Sequence, residues 1–124
     1  MNSKVKMGLR IFYGIFFLVF GINKFANFMP FPPAGADWES LIGVFGSSGF
    51  FKIIGVLEIL GGLALILNKY VPLALTVLIA IMFNAVIFHA LLFVGGIVPA
   101  ILGLILGLVL VYANKDRFTQ VLSA

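Results

Sequence analysis

The stretch FFKIIGVLEILGGLALIL, Phe50 to Leu67, decides the fold. Its apolar residues run on without alternation, so it reads as a helix long enough to cross a bilayer rather than a strand, whose open edge lipid does not tolerate. Lys52 stands at its edge and Glu58 inside it. A carboxylate at that depth has no water to solvate it and must be neutral, paired or facing a cavity. Glu58 therefore marks a candidate site, and the single histidine, His89 in the next apolar stretch, is its obvious partner.

Working outward, spans are expected at about Gly8 to Phe25, Phe50 to Leu67, Pro72 to Val94 and Ile97 to Ala113. Pro72 and Pro99 fall in first turns, where a missing N–H costs nothing. Asn68-Lys69-Tyr70 and Gly95-Gly96 make tight turns, which sets consecutive helices antiparallel. The fold class is all-α: a four-transmembrane-helix antiparallel bundle with a short interfacial helix in the outer loop between helices 1 and 2. Residues 1–124 read as one membrane domain. Composition agrees, at 63% hydrophobic and 10% charged residues, where a soluble domain carries about 25% charged.

The net charge of +4 does not indicate nucleic acid, because the bases sit in ones and twos at span ends, where lipid headgroups are the expected partners. The chain has no cysteine, which excludes thiol exchange, thiolate-ligated metal and cysteine nucleophiles within it. One histidine falls short of a bis-histidine haem in one protomer, and no metal site is indicated. Any redox role needs a diffusible ligand such as a quinone, or a partner subunit.

Lys4, Lys6, Arg10, Lys69, Lys115 and Arg117 fall on one side of the four-span arrangement, against Lys24 and Lys52 on the other. This predicts a multi-pass protein of the cell membrane with both termini cytoplasmic. Asn23-Lys24-Phe25 replaces the small residues that a signal peptidase needs, so an uncleaved first helix is expected. In the outward connection, Ala26 to Gly49, Asp37 is expected to cap a helix through Val44. Trp38, Leu41, Ile42 and Phe45 would then lie on the membrane surface, as an anchor rather than a lid.

Depth gathers the polar residues. At 1.5 Å per residue Glu58 lies about 12 Å below the outer start of its span, His89 about 7 to 8 Å and Asn84 about 15 Å below the outer end of theirs. Asn23 and Lys24 close the first span at the same face. The candidate ligand-binding set is Asn23, Lys24, Glu58, Asn84 and His89. Each has a plainer reading: Lys24 snorkelling to headgroups, Asn84 bonding between helices, Asn23 capping, and Glu58 with His89 as a dyad that fixes helix register. Gly55, Gly61, Gly62 and the pair Gly103/Gly107 read as close contacts between helices or protomers.

Gly21-Ile-Asn23-Lys24-Phe25, Ile54-Gly55-Val-Leu-Glu58-Ile-Leu-Gly61-Gly62, Asn84-Ala-Val-Ile-Phe88-His89 and Tyr112-Ala-Asn-Lys-Asp116-Arg117-Phe118 together resemble the DoxX family of small membrane proteins. The resemblance implies a four-helix membrane bundle and a link to quinone-reducing sulfur oxidation, oxidant resistance or the assembly of other membrane proteins. It carries family polar positions onto Asn23, Lys24, Glu58, Asn84 and His89. Without cysteine, this chain would join a thiol-based redox system only as a partner.

The leading reading is an outer-half polar pocket for a quinone-like apolar ligand, in an accessory redox or oxidative-stress component. An accessory subunit of a quinone-linked oxidoreductase is expected rather than an enzyme acting on its own. No resident cofactor is required, and a quinone is the class that fits. The alternative is an assembly or scaffold factor with a structural Glu–His pair, acting through a membrane protein partner or a homo-oligomer. A small proton-coupled exporter ranks last, because Glu58 lies in the second helix rather than the first.

Overall fold

The computed structural model describes residues 1–30 and 34–123; the part of the outer connection at 31–33 lies outside them. Its long helices are α1 (Ser3–Ala26), α3 (Phe50–Leu67), α4 (Val71–Leu92) and α5 (Ile97–Ala113), with α2 (Ala36–Ser47) between the first two. Short 3-10 turns occupy Val94–Gly96 and Lys115–Phe118, and α6 (Thr119–Leu122) ends the chain. Four segments, the last running from Val94 through α5, are long and apolar enough to cross a membrane. No strand occurs among the described residues.

α1 starts at Ser3 rather than at Gly8, because Asn2 caps it by accepting from the Lys4 N–H at 2.8 Å. α4 stops at Leu92 rather than Val94, where Phe93 leaves helical geometry at φ −154° and ψ 81°. The α3–α4 turn puts Asn68 and Tyr70 at φ 56° and 54°. Asparagine adopts this left-handed conformation readily and tyrosine seldom does.

A glycine seam joins α1 to α3. Gly14 and Gly21 lie seven residues apart on α1, and Gly55 and Gly62 match them on the antiparallel α3. A Cβ at Gly14 would fall 2.7 Å from the Gly62 carbonyl oxygen, and one at Gly21 2.8 Å from that of Gly55. Backbones at this separation leave no room for side chains between them. Gly103 and Gly107 also serve inside the chain, where a Cβ would meet Met82 and the Tyr13 hydroxyl.

Fully buried side chains gather toward the end of the bundle that carries the chain termini. Tyr13, Phe17, Leu65, Val71, Leu75, Leu78 and Leu110 are fully buried there. Tyr13 donates from its hydroxyl to the Gly103 carbonyl at 2.8 Å and meets Phe17 edge-on at 4.8 Å. Arg10 is buried and donates to the Leu65 carbonyl and, at 3.4 Å, to that of Ile66. It thereby serves two of the last carbonyls of α3, which have no partner within the helix. Asn114 turns back to the Leu110 carbonyl at 2.8 Å, and Arg117 bridges to the Asn68 side chain at 2.7 Å.

Candidate functional site

At the opposite end, the four long helices and α2 enclose a cavity of about 440 Å³. α2 supplies one wall through Trp38, Leu41, Ile42 and Phe45. These positions follow i, i+3, i+4, i+7, the spacing of one helix face. That face was expected on the membrane surface, and instead it turns inward onto the bundle. The N-terminus also differs from expectation: Gly35, at φ 113°, precedes the helix, no side chain caps it, and Asp37 lies within its first turn.

Lys24, Glu58, Asn84 and His89 all line the cavity. Asn23 is not among its walls. Its amide donates to the Met29 carbonyl at 2.9 Å and accepts from the Met29 N–H at 2.7 Å, so this buried residue ties down the chain leaving α1.

Glu58 pairs with Lys24 rather than with His89. The Lys24 Nζ lies 2.5 Å from Glu58 Oε1, with the side chains 13% and 5% exposed, so Lys24 is turned inward and does not snorkel. The cause is the glycine seam. A Cβ at Gly55 would sit 3.1 Å from the Lys24 Cβ, so α1 delivers its lysine one helical turn from Glu58.

His89 packs instead against Trp38, with ring centroids 4.8 Å apart, and its Nδ1 lies 3.1 Å from the Phe93 carbonyl oxygen. Gly96 makes this placement possible, because a Cβ there would stand 2.6 Å from His89 Nδ1. Asn84 is exposed and donates from Nδ2 to the Ala80 carbonyl at 2.9 Å, a bond within its own helix. Phe20, Phe50, Asn84 and Pro99 all line the cavity and are exposed, which marks its mouth.

Sequence reasoning missed Trp38 as a site residue. It is 6% exposed, and its Nε1–H has no hydrogen-bond partner among the described residues. The stripe from Trp38 to Phe45 was the available signal, but it does not by itself say whether the face meets lipid or protein. Among the described residues no group of three or more His, Asp or Glu side chains is placed to hold a metal ion. The arrangement is that of an apolar receptacle with a neutralised ion pair, an imidazole, an amide and an indole N–H in its walls.

A bundle of membrane-spanning helices around a side-opening cavity defines a small polytopic membrane protein with an internal pocket. The DoxX family pattern matches residues 5–91, and the chain belongs to that family. Comparison with curated proteins and with solved structures gives no match.

Proposed function

We propose that the protein binds a lipophilic ligand with a polar ring head, a quinone being the class that fits, as an accessory component of membrane redox or oxidant defence. The cavity carries this reading. Its volume of about 440 Å³ falls in the range of about 300–1,000 Å³ usual for small-molecule sites. Its walls are mostly phenylalanine and aliphatic side chains, with few polar groups to orient a head. A mouth within the apolar length of the helices would admit such a ligand from the bilayer. Lys24 and Glu58 neutralise each other, so an uncharged ring can lie against them without stranding a charge.

The charge distribution supports a cell-membrane orientation with both termini cytoplasmic, because Lys4, Lys6, Arg10, Lys69, Lys115 and Arg117 belong to one end of the bundle. The cavity would then open in the outer half.

The test is to purify the protein in mild detergent and quantify co-extracted quinones by mass spectrometry. Near-stoichiometric quinone that is lost from a folded variant with the cavity filled, Ala85→Phe, is the expected result. Quinone at the bulk-membrane level in every sample would end the ligand reading.

A second reading rests on the Lys24–Glu58 pair, which is complete within the chain and sits on the α1–α3 seam. In that reading the polar residues are architectural and the protein assists assembly of a membrane partner. Stable co-purification of one membrane protein without any enriched lipid would favour it.

A further inference from the structure

Two stacked rings of the cavity wall, His89 and Trp38, carry complementary hydrogen-bonding groups. His89 Nδ1 lies within hydrogen-bond distance of the Phe93 carbonyl oxygen. A carbonyl only accepts, so Nδ1 carries the proton. In the neutral ring Nε2 is then a bare lone pair. Asn84 gives one of its two Nδ2 hydrogens to the Ala80 carbonyl and keeps the other and its Oδ1. The Lys24 ammonium directs one of its three N–H groups to Glu58. Beside the His89 acceptor stands a donor with no hydrogen-bond partner among the described residues, the buried Trp38 Nε1–H, on the ring that stacks with His89. An unpaired buried N–H costs about 1–3 kcal/mol, and the arrangement is relieved by a ligand oxygen that accepts from it.

A carbonyl oxygen would answer only the indole. A hydroxyl answers both, since its oxygen accepts and its hydrogen donates. We propose that the pocket selects a hydroxyl-bearing aromatic head, such as a hydroquinone or alkylated phenol, over the corresponding quinone, with His89 Nε2 as the acceptor and Trp38 Nε1–H as the donor that read the hydroxyl. This rests on the cavity being a ligand site and specifies which form of the ligand it takes. A site that hydrogen-bonds a hydroxyl rejects analogues lacking it strongly, because its own polar groups are left unpaired.

The experiment is calorimetric titration of the purified protein, anaerobically, with three probes bearing the same alkyl tail: a naphthohydroquinone held reduced, its dimethyl ether, and the naphthoquinone. The hydroquinone is expected to bind about tenfold or more tighter than either of the others, equivalent to about 1.4 kcal/mol. His89→Phe should reduce that preference to about threefold or less while the quinone affinity stays near its wild-type value, and Trp38→Phe, which removes the donor that a carbonyl and a hydroxyl oxygen share, should weaken both probes and leave the preference in place. Equal or tighter binding of the quinone by wild type overturns this inference and leaves the cavity reading standing. Failure of all three probes to bind overturns both.

The tautomer gives an independent readout that needs neither a ligand nor a variant. The chain has one histidine, so a nitrogen-15 spectrum of the labelled protein contains one imidazole. In the neutral ring, a protonated Nδ1 with an unprotonated Nε2 is expected. A neutral ring protonated at Nε2 would refute the proposal whatever the titrations gave.

Discussion

The two ends of this bundle are built from the same helices and differ in how they treat polar groups. At the terminal end Arg10, Tyr13 and Asn114 are buried, and each donates to a backbone carbonyl amid close-packed leucines. At the cavity end Trp38 is equally buried and its N–H has no partner among the described residues, while His89 and Asn84 bond only to the Phe93 and Ala80 carbonyls in the hydrogen bonds described. Buried polar groups in a finished core are normally satisfied. The contrast teaches that one end is a completed structure and the other a receptacle, and that the α1–α3 glycine seam running through both holds them in register.

The largest effect should come from opening the ion pair at the cavity end. Lys24→Met leaves the Glu58 carboxylate buried without its cation, and removing one member of a buried pair costs about 3–5 kcal/mol. Replacing both, as Lys24→Met with Glu58→Leu, should recover most of that loss, since an apolar pair of similar volume is often neutral or better. Reversible unfolding in mixed micelles measures both. A single variant as stable as wild type would show that the pair bears no structural load, which would break the second functional reading.

Next in size is the seam. Gly62→Ala at the packed end and Gly21→Ala at the cavity end both place a methyl group against a backbone carbonyl. Each should cost about 1–3 kcal/mol, the usual range for overpacking. Gly46→Ala on α2 meets nothing within 4 Å and should cost nothing measurable. Loss at Gly62 without loss at Gly21 would mean that the helices part at the cavity end and that the seam does not hold the receptacle.

The helices were legible because their apolar runs are long and uninterrupted, and their ends were less so. Lys4 and Lys6 look like flanking charges, yet the Asn2 cap extends α1 through them. Lys24, Glu58, Asn84 and His89 stood out as polar groups inside apolar helices, and all four line the cavity. The partner of Glu58 was not legible, because partner choice depends on how closely two backbones approach. Residues 14, 21, 55 and 62 set that distance, but their match across two antiparallel helices appears only once the register is known. Arg10 was read as a flanking charge, although Arg10, Gly14, Phe17 and Gly21 share the helical face that α1 turns to α3. Trp38 was read as an interfacial anchor because tryptophan at that depth so often is one.

The smallest effect tests the comparison most directly, with one aromatic polar group from each end. Tyr13→Phe removes a hydroxyl that donates to the Gly103 carbonyl at 2.8 Å. It leaves that carbonyl without its side-chain donor and should cost about 0.5–1.5 kcal/mol. Trp38→Phe removes more atoms, but the polar group it deletes has no partner among the described residues. Deleting an unpaired N–H relieves a desolvation cost of about 1–3 kcal/mol, which offsets the lost ring contacts. Its net effect in ligand-free protein should lie within about 1 kcal/mol of zero. Thermal unfolding in detergent, run on protein stripped of co-extracted lipid, measures both. If Trp38→Phe costs more than Tyr13→Phe, the indole contributes as completed core, and the division into a finished end and a receptive end fails at the residue that defines it.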